Sequence, residues 1–316
     1  MKAVDTLKDG SEYIVELDNF DVEEKYGNCN YPTDTYADRL HKDVIRNILL
    51  NGRLDHNPRP HYADGIPAHT LSINHLMHKY DISKGQLPLI TLRPIASGNA
   101  KKEILWIYQD ASNDLDVLVN KYGITWWNDW KIEGENTIGQ VYGATVKRHN
   151  LMRNLLNDIK NNPDGRRHIM SLWQDDDFKE PHGLKPCCYL TTYNVRHEED
   201  GDYLDMSMHQ RSADFLVAHS INLIQYVILM CMVARHCGYK PGVFTWFADN
   251  VQIYDRHIAA AEILYQRHGI ECTPSLWINP EKTDFYDMTM DDIKIIGYPM
   301  KEIKEVNPQL KFDLGI

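Results

Sequence analysis

Apolar residues fall at helical spacing across Tyr36–Asn51, where Leu40, Val44, Ile45, Ile48 and Leu49 share one face and predict an amphipathic helix. The same periodicity marks His149–Asn161, with Pro163-Asp164-Gly165 as its stop signal. Ala100–Tyr108, Leu115–Tyr122 and Ile258–His268 read as further helices. Ser220–His236 is apolar all round, which predicts a helix buried on every side. Short apolar or alternating runs predict strands at His69–Ile73, Leu87–Arg93, His168–Trp173, Tyr189–Val195, Tyr203–Met208 and Ser275–Ile278. The polar stretch His197–Asp202 joins two of these as a hairpin, and Val243–Tyr254 reads as a strand pair. The chain before Pro60 is mostly polar, with a turn-rich piece at 27–32. Strands and helices mix without βαβ regularity, so the expected fold class is α+β, one large domain.

Composition narrows the class. A chain of 316 residues, 43% hydrophobic and 25% charged, is that of a folded globular protein and excludes a disordered one. A net charge of −11 argues against a nucleic-acid polymer as partner, though a local arginine cluster could still hold a small anion. No run approaches the roughly 20 apolar residues of a membrane span. The N-terminus lacks the apolar core of a secretory signal. The 6 cysteines include no CxxC pair, and adjacent Cys187 and Cys188 could form only a strained bridge, so a reducing cytoplasm is the expected setting. His61, His69 and His257 stand in no HxH or HxxxH pair with carboxylates, and no metal centre is expected.

Candidate chemistry gathers in the second half. Pro186-Cys187 precedes a predicted strand, downstream of the doubled Arg166-Arg167, and Gln210-Arg211-Ser212-Ala213-Asp214 ends the next strand. Guanidiniums near a thiol favour its ionised form, and several converging on one cavity would bind a phosphate by bidentate hydrogen bonds. Taken alone, a cysteine before a strand is more often a buried small hydrophobe.

The order of the blocks goes further. Pro67-Ala68-His69-Thr70-Leu71-Ser72, Glu103-Ile104-Leu105-Trp106, Trp127-Asn128-Asp129-Trp130 and Tyr142-Gly143 are followed by Arg166-Arg167-His168-Ile169 and Pro186-Cys187. Gln210–Asp214, Ile221-Asn222 and Gln252-Ile253-Tyr254 complete the series. From about Asp64 to the C-terminus the chain resembles the folate-dependent thymidylate synthase family. The resemblance implies a mixed sheet flanked by helices, with sheets packed face to face in a homodimer. Residues 1–63 would be an N-terminal extension and first helix of the same domain, and 64–316 the catalytic domain.

It also implies an enzyme that methylates dUMP to dTMP with 5,10-methylenetetrahydrofolate as co-substrate. Cys187 would attack C6 of the base, Glu103 and Tyr142 would manage protons, and Asn222 would read the uracil edge. Arg166 and Arg167 from the partner subunit would hold the phosphate with Arg211 and Ser212, while Gln252 and Tyr254 would meet the sugar. Trp127, Trp130, Asp214, Arg93 and Ile316 would contact the folate, Asp214 also touching the substrate. The family's fourth arginine has no counterpart in its slot at Gly65, and Arg59 is the nearest substitute. A pyrimidine-nucleotide hydroxymethylase acting on dUMP, CMP or dCMP is the alternative on the same fold. An indole wall at Trp127 that excludes water would favour hydride delivery and hence the synthase. Cys188 replaces the usual histidine, and strand alternation predicts that it faces away from the cavity.

Overall fold

The computed structural model describes residues 1–18 and 21–316. The chain opens with an antiparallel hairpin, β1 (Lys2–Thr6) and β2 (Glu12–Glu16), whose Ala3 and Val15 turn into the core. A short α1 (Val22–Tyr26) leads to α2 (Tyr36–Asn51), which occupies the span its periodicity predicts. Thr35 and Asp38 start α2 with a capping box, each side chain closing on the other's backbone N–H. One turn further on, Lys42 pairs with Asp34 at 2.6 Å, both side chains fully buried. Lys42 also donates to Cys29 O, and Gly269 N–H to Asp34, so this buried pair has its hydrogen bonds made. A side chain at position 269 would put its Cβ 2.6 Å from Asp38 and 2.8 Å from Asp34, which is why glycine stands there.

The central sheet has seven strands. Six run in the order β3 (Arg53–Leu54), β4 (Thr70–Asp81), β9 (Lys240–Tyr254), β7 (Gly201–Gln210), β6 (Cys188–Glu198) and β5 (Ile169–Ser171); β8 (Ala213–Asp214) adds to β9. Pairing is antiparallel except where β7 and β8 lie parallel to β9, so the sheet is mixed. Helices α3 (Ser97–Ile104), α4 (Leu115–Tyr122), α5 (Gly143–Arg148), α6 (Leu151–Asn161), α7 (His219–Cys237), α8 (Ile258–Gln266) and α9 (Met300–Val306) surround it. A two-stranded ribbon, β10 (Ser275–Ile278) and β11 (Ile293–Ile296), completes the fold. α7 is long and apolar enough to cross a membrane, but it packs inside the protein, with Leu223, Val227, Met230 and Ala234 fully buried. The result is one mixed α+β domain.

Several expectations change. Leu87–Arg93 is no strand: the segment is buried but irregular, with Pro88 inside it and Pro94 at its end. Side chains take the place of a sheet partner. Asp38 accepts from Thr91 N–H and hydroxyl, Asn307 donates to Thr91 O, Tyr298 to Ile90 O and Arg267 to Leu92 O. Val243–Tyr254 is not a strand pair but one continuous strand, because no Gly or Pro interrupts it and both neighbours pair along it. β4 runs on to Asp81 through polar residues; His75 takes φ 59°, and the pairing with β9 keeps one register on either side of it. The helix from Ser97 ends in a π-helical turn, Leu105–Gln109. The hairpin β1–β2, α5, α9 and β11 carry no clear period and go unpredicted.

Candidate active site

Cys187 is the residue before β6, at a point where the β6–β7 register shifts between Cys188 and Leu190. Arg211 follows β7 directly and is bound to the loop that carries the thiol. Its backbone N–H donates to Cys187 O at 2.9 Å, Nε to Pro186 O at 2.9 Å and Nη2 to Lys185 O at 2.9 Å. The same Nη2 stands 3.8 Å from Cys187 Sγ. Burial pushes the thiol above its ordinary range, against the opposing charges of Arg211 and Arg59. The favoured thiolate expected from nearby arginines is therefore not the resting balance: desolvation outweighs two guanidiniums.

Cys187 precedes β6, so strand alternation does not govern the pair. Cys188 does not face away but joins Cys187 on the cavity wall, fully buried, its thiol raised further by desolvation and by the neighbouring Cys187 and Glu103. Tyr142 faces the nucleophile, its hydroxyl accepting from Cys187 N–H at 3.2 Å. Its backbone sits at φ 50°, ψ −112°, a conformation that costs energy in a non-glycine residue and that often marks functional sites. The next residue must be glycine, since a Cβ at 143 would lie 2.0 Å from Ser112 O.

Glu103, on the last turn of α3, closes the far side. It is 7% exposed and accepts from Trp126 Nε1 at 2.8 Å. Burial raises its carboxyl from 4.5 to about 7, with the hydrogen bonds of Trp126 and Gln225 opposing. Between Glu103 and the cysteines lies a cavity of about 380 Å³, the size of a small-molecule site. Trp126, Trp127 and Trp130 form one wall, Asn222 and Gln225 of α7 another, and Leu314 of the C-terminal tail the mouth. Trp127 packs edge-on to Tyr142. An apolar, indole-lined slot suits a flat ring.

Of the polar residues expected around the substrate, Ser212, Asp214, Gln252 and Tyr254 do not line this cavity; they gather at β8 and the end of β9. Asp214 and Gln252 are in register, and Ser212 Oγ donates to Gln252 Oε1 at 3.3 Å. Burial raises Asp214 to about 7, held back by the Val217 N–H and the charge of Arg93. Tyr254 is pushed up to about 12 by burial and by Asp214, with Arg59 pulling the other way. Arg59 thus stands near enough to act on both Cys187 and Tyr254, although its side chain is exposed.

Other expected residues lie elsewhere. Arg166 and Arg167 are exposed between α6 and β5, outside their own chain's cavity. Arg93 does not line the cavity either. It is buried beneath the loop after β8, donating to Leu216 O at 2.5 Å and to Val217 O at 3.3 Å, with its guanidinium 5.5 Å from the Phe312 ring centre. Ile316 pairs with His61, and Leu314 rather than Ile316 reaches the main cavity. Trp126 and Gln225 were missed. Gln225 lies one turn after Asn222 on the same helical face, and Trp126 is the neighbour of a tryptophan already singled out, so both were within reach of spacing arguments.

Comparison with known proteins gives the same answer from another direction. The family profile described as thymidylate synthase matches residues 39–309. A thymidylate synthase from Streptococcus gordonii is 45% identical over 283 residues, covering 89% of this chain and 100% of that protein. One from Lactococcus lactis subsp. cremoris is 46% identical over 284 residues, with the same coverage. Among solved structures, the thermostable thymidylate synthase A from Bacillus subtilis superposes with a TM-score of 0.79 at 35% identity, covering 89% of this chain and 99% of that one. With a family profile matched over most of its length and relatives 45–46% identical along their whole chains, this chain belongs to the thymidylate synthase family.

Proposed function

We propose that this enzyme methylates dUMP to dTMP, with Cys187 as the nucleophile. The observation that carries the reading is the placement of Cys187 Sγ 3.8 Å from Arg211 Nη2, on a cavity walled by three indoles and Glu103. Cys187 adds to C6 of the uracil ring, making C5 nucleophilic, and leaves once the methyl group is complete. Arg211 and Ser212 hold the phosphate, and the guanidinium, already fixed by the Pro186 and Lys185 carbonyls, supports the thiolate as it forms. Asn222 pairs with the uracil edge: a carboxamide accepts from N3–H and donates to O4, whereas cytosine reverses that polarity. Tyr142 and Glu103 move protons at C5 and O4. Gln252 and Tyr254 meet the sugar, and Arg59 takes the place of the arginine missing at Gly65.

The folate 5,10-methylenetetrahydrofolate would supply the one-carbon unit and the hydride. Trp126, Trp127 and Trp130, which line the cavity, would pack against its ring and keep water from the C5 carbon. Water exclusion favours methyl over hydroxymethyl product, and the hydroxymethylase alternative is not favoured.

A homodimer completes the site in this reading. Met77, Phe247 and His209 stand in register across β4, β9 and β7, on the face opposite the buried Phe244 and Trp246. Met77 is 48% and Phe247 36% exposed, an apolar patch suited to a two-fold partner. Arg166 and Arg167 would then reach the partner's phosphate site.

The test is incubation of dUMP with methylenetetrahydrofolate and mass analysis of the product. The expected outcome is dTMP with a stoichiometric rise in dihydrofolate absorbance. A 5-hydroxymethyl product with tetrahydrofolate released would reject the reading.

A further inference from the structure

The two ends of the chain meet on a network that the reaction itself does not use. Asp255 follows β9, and its carboxylate accepts from the Tyr62 hydroxyl and, at 2.9 Å, from the Arg256 N–H. The Tyr13 hydroxyl of β2 faces the other oxygen at 3.4 Å. The Tyr13 ring stacks on His69 at 6.0 Å, and His69 Nε2 faces Asp5 of β1 at 3.7 Å. On the opposite side, the Arg256 guanidinium lies 3.9 Å from the centre of the Tyr62 ring. It binds Asp64 at 2.8 Å and reaches Asp313 of the C-terminal tail at 3.5 Å.

The tail is docked by backbone as well. His61 and Ile316 exchange two hydrogen bonds of 3.0 Å, and His257 Nε2 bonds Asp313 O at 2.9 Å. At Gly315 a Cβ would stand 2.8 Å from the Tyr254 ring and 2.9 Å from Ala68, so the tail lies close against the site wall. A second cavity of about 620 Å³ opens beside it, lined in part by Tyr62, Arg256, Asp313 and Leu314, and Leu314 is shared with the main cavity.

We propose that the N-terminal hairpin is a brace for the C-terminal tail. Through Asp255 and Tyr62 it positions Arg256, and Arg256 holds Asp313, which keeps Leu314 at the mouth of the main cavity. Partly exposed ion pairs are each weak, so the docked tail is a marginal state whose population a neighbouring restraint can shift. The hairpin lies before residue 39, where the family match begins, whereas Tyr62, Asp255 and Arg256 lie within the matched span. The functional side of the inference rests on reading the main cavity as the folate site.

The test compares Tyr13→Phe, Arg256→Gln and the double variant in the full chain, by hydrogen exchange of the Ile316 amide. Tyr13→Phe should speed exchange about fivefold, the effect of one lost hydrogen bond. Arg256→Gln should speed it at least as much, and the double variant no further, because Tyr13 acts through Arg256. In turnover, both single variants should raise KM for the folate and leave KM for dUMP unchanged. Unchanged exchange in Tyr13→Phe, unchanged exchange in Arg256→Gln, or additive effects in the double variant would each overturn the brace. Exchange needs no catalysis, so an enzyme that made no dTMP would defeat the functional reading and leave this test intact.

Discussion

At the scale of single residues, the environment sets the chemistry more than the residue type does. Glu103 is the clearest case: burial lifts its carboxyl to about 7, so at neutral pH it is shared between acid and carboxylate and can both give and take a proton. In the fold the protonated form is preferred, so what it contributes to stability is present below about 4.5 and is lost as pH rises through about 7. Turnover should show an ionisation near 7 that disappears in Glu103→Gln, with activity down about 10²-fold or more. Asp214 is raised to a similar value, so an unchanged limb in Glu103→Gln would assign the ionisation to Asp214 and contradict the role given to Glu103. Cys187, Tyr142, Trp127 and Asn222, which share one cavity, were singled out in the sequence through the family resemblance of their ordered blocks and not through residue type alone. The raised Cys187 thiol and the inward-facing Cys188 were not legible. Desolvation depends on what packs around a group, and local composition does not mark that β6 begins only after Cys187.

At the scale of elements, the start of α7 rests on an unusual cluster. His41 of α2, His78 of β4 and His219 of α7 surround Phe215 and Trp246, with His41 stacked on Phe215 at 4.4 Å and His219 against Trp246 at 4.6 Å. Both ring nitrogens of His41 and His219, and Nδ1 of His78, lack partners. Burial lowers all three, His78 to about 4, and Arg93 adds to the effect at His41 and His219. The unfolded chain takes these protons near 6.5 and the folded one resists them, so stability is lost as pH falls from about 6.5 toward 4. The denaturant midpoint should fall across that window, and His219→Leu should flatten the dependence. A midpoint constant from pH 7 to 4 would contradict the cluster's neutrality. None of this could be read from the chain, since the three histidines come from elements far apart in sequence. The same reason explains Leu87–Arg93, whose apolar run reads as a strand but whose backbone partners are the distant side chains of Asp38, Arg267, Tyr298 and Asn307.

At the scale of the whole molecule, the α+β class was legible from the mixing of periods, and the helices α2 and α4 to the residue. The order of strands was not, because it places β9 between β4 and β7 by contacts between distant parts of the chain. The proposed dimer follows from the exposed Met77–Phe247 row and from two arginines that face away from their own site. Arg167→Glu and Cys187→Ala should each be inactive as pure proteins. Mixed after mild dissociation, they should regain activity, because a hybrid dimer holds one site with both an intact thiol and an intact partner arginine. No regain, or full activity from a monomer at high dilution, would reject the shared site.

The most direct measurement traps the enzyme with 5-fluoro-dUMP and methylenetetrahydrofolate and maps the modified peptide by mass spectrometry. The fluorine blocks proton loss at C5, so the covalent intermediate cannot proceed. The account predicts one nucleotide and one folate fragment attached through the sulfur of Cys187. Attachment at Cys188 or at any other side chain, or no covalent adduct, would contradict it.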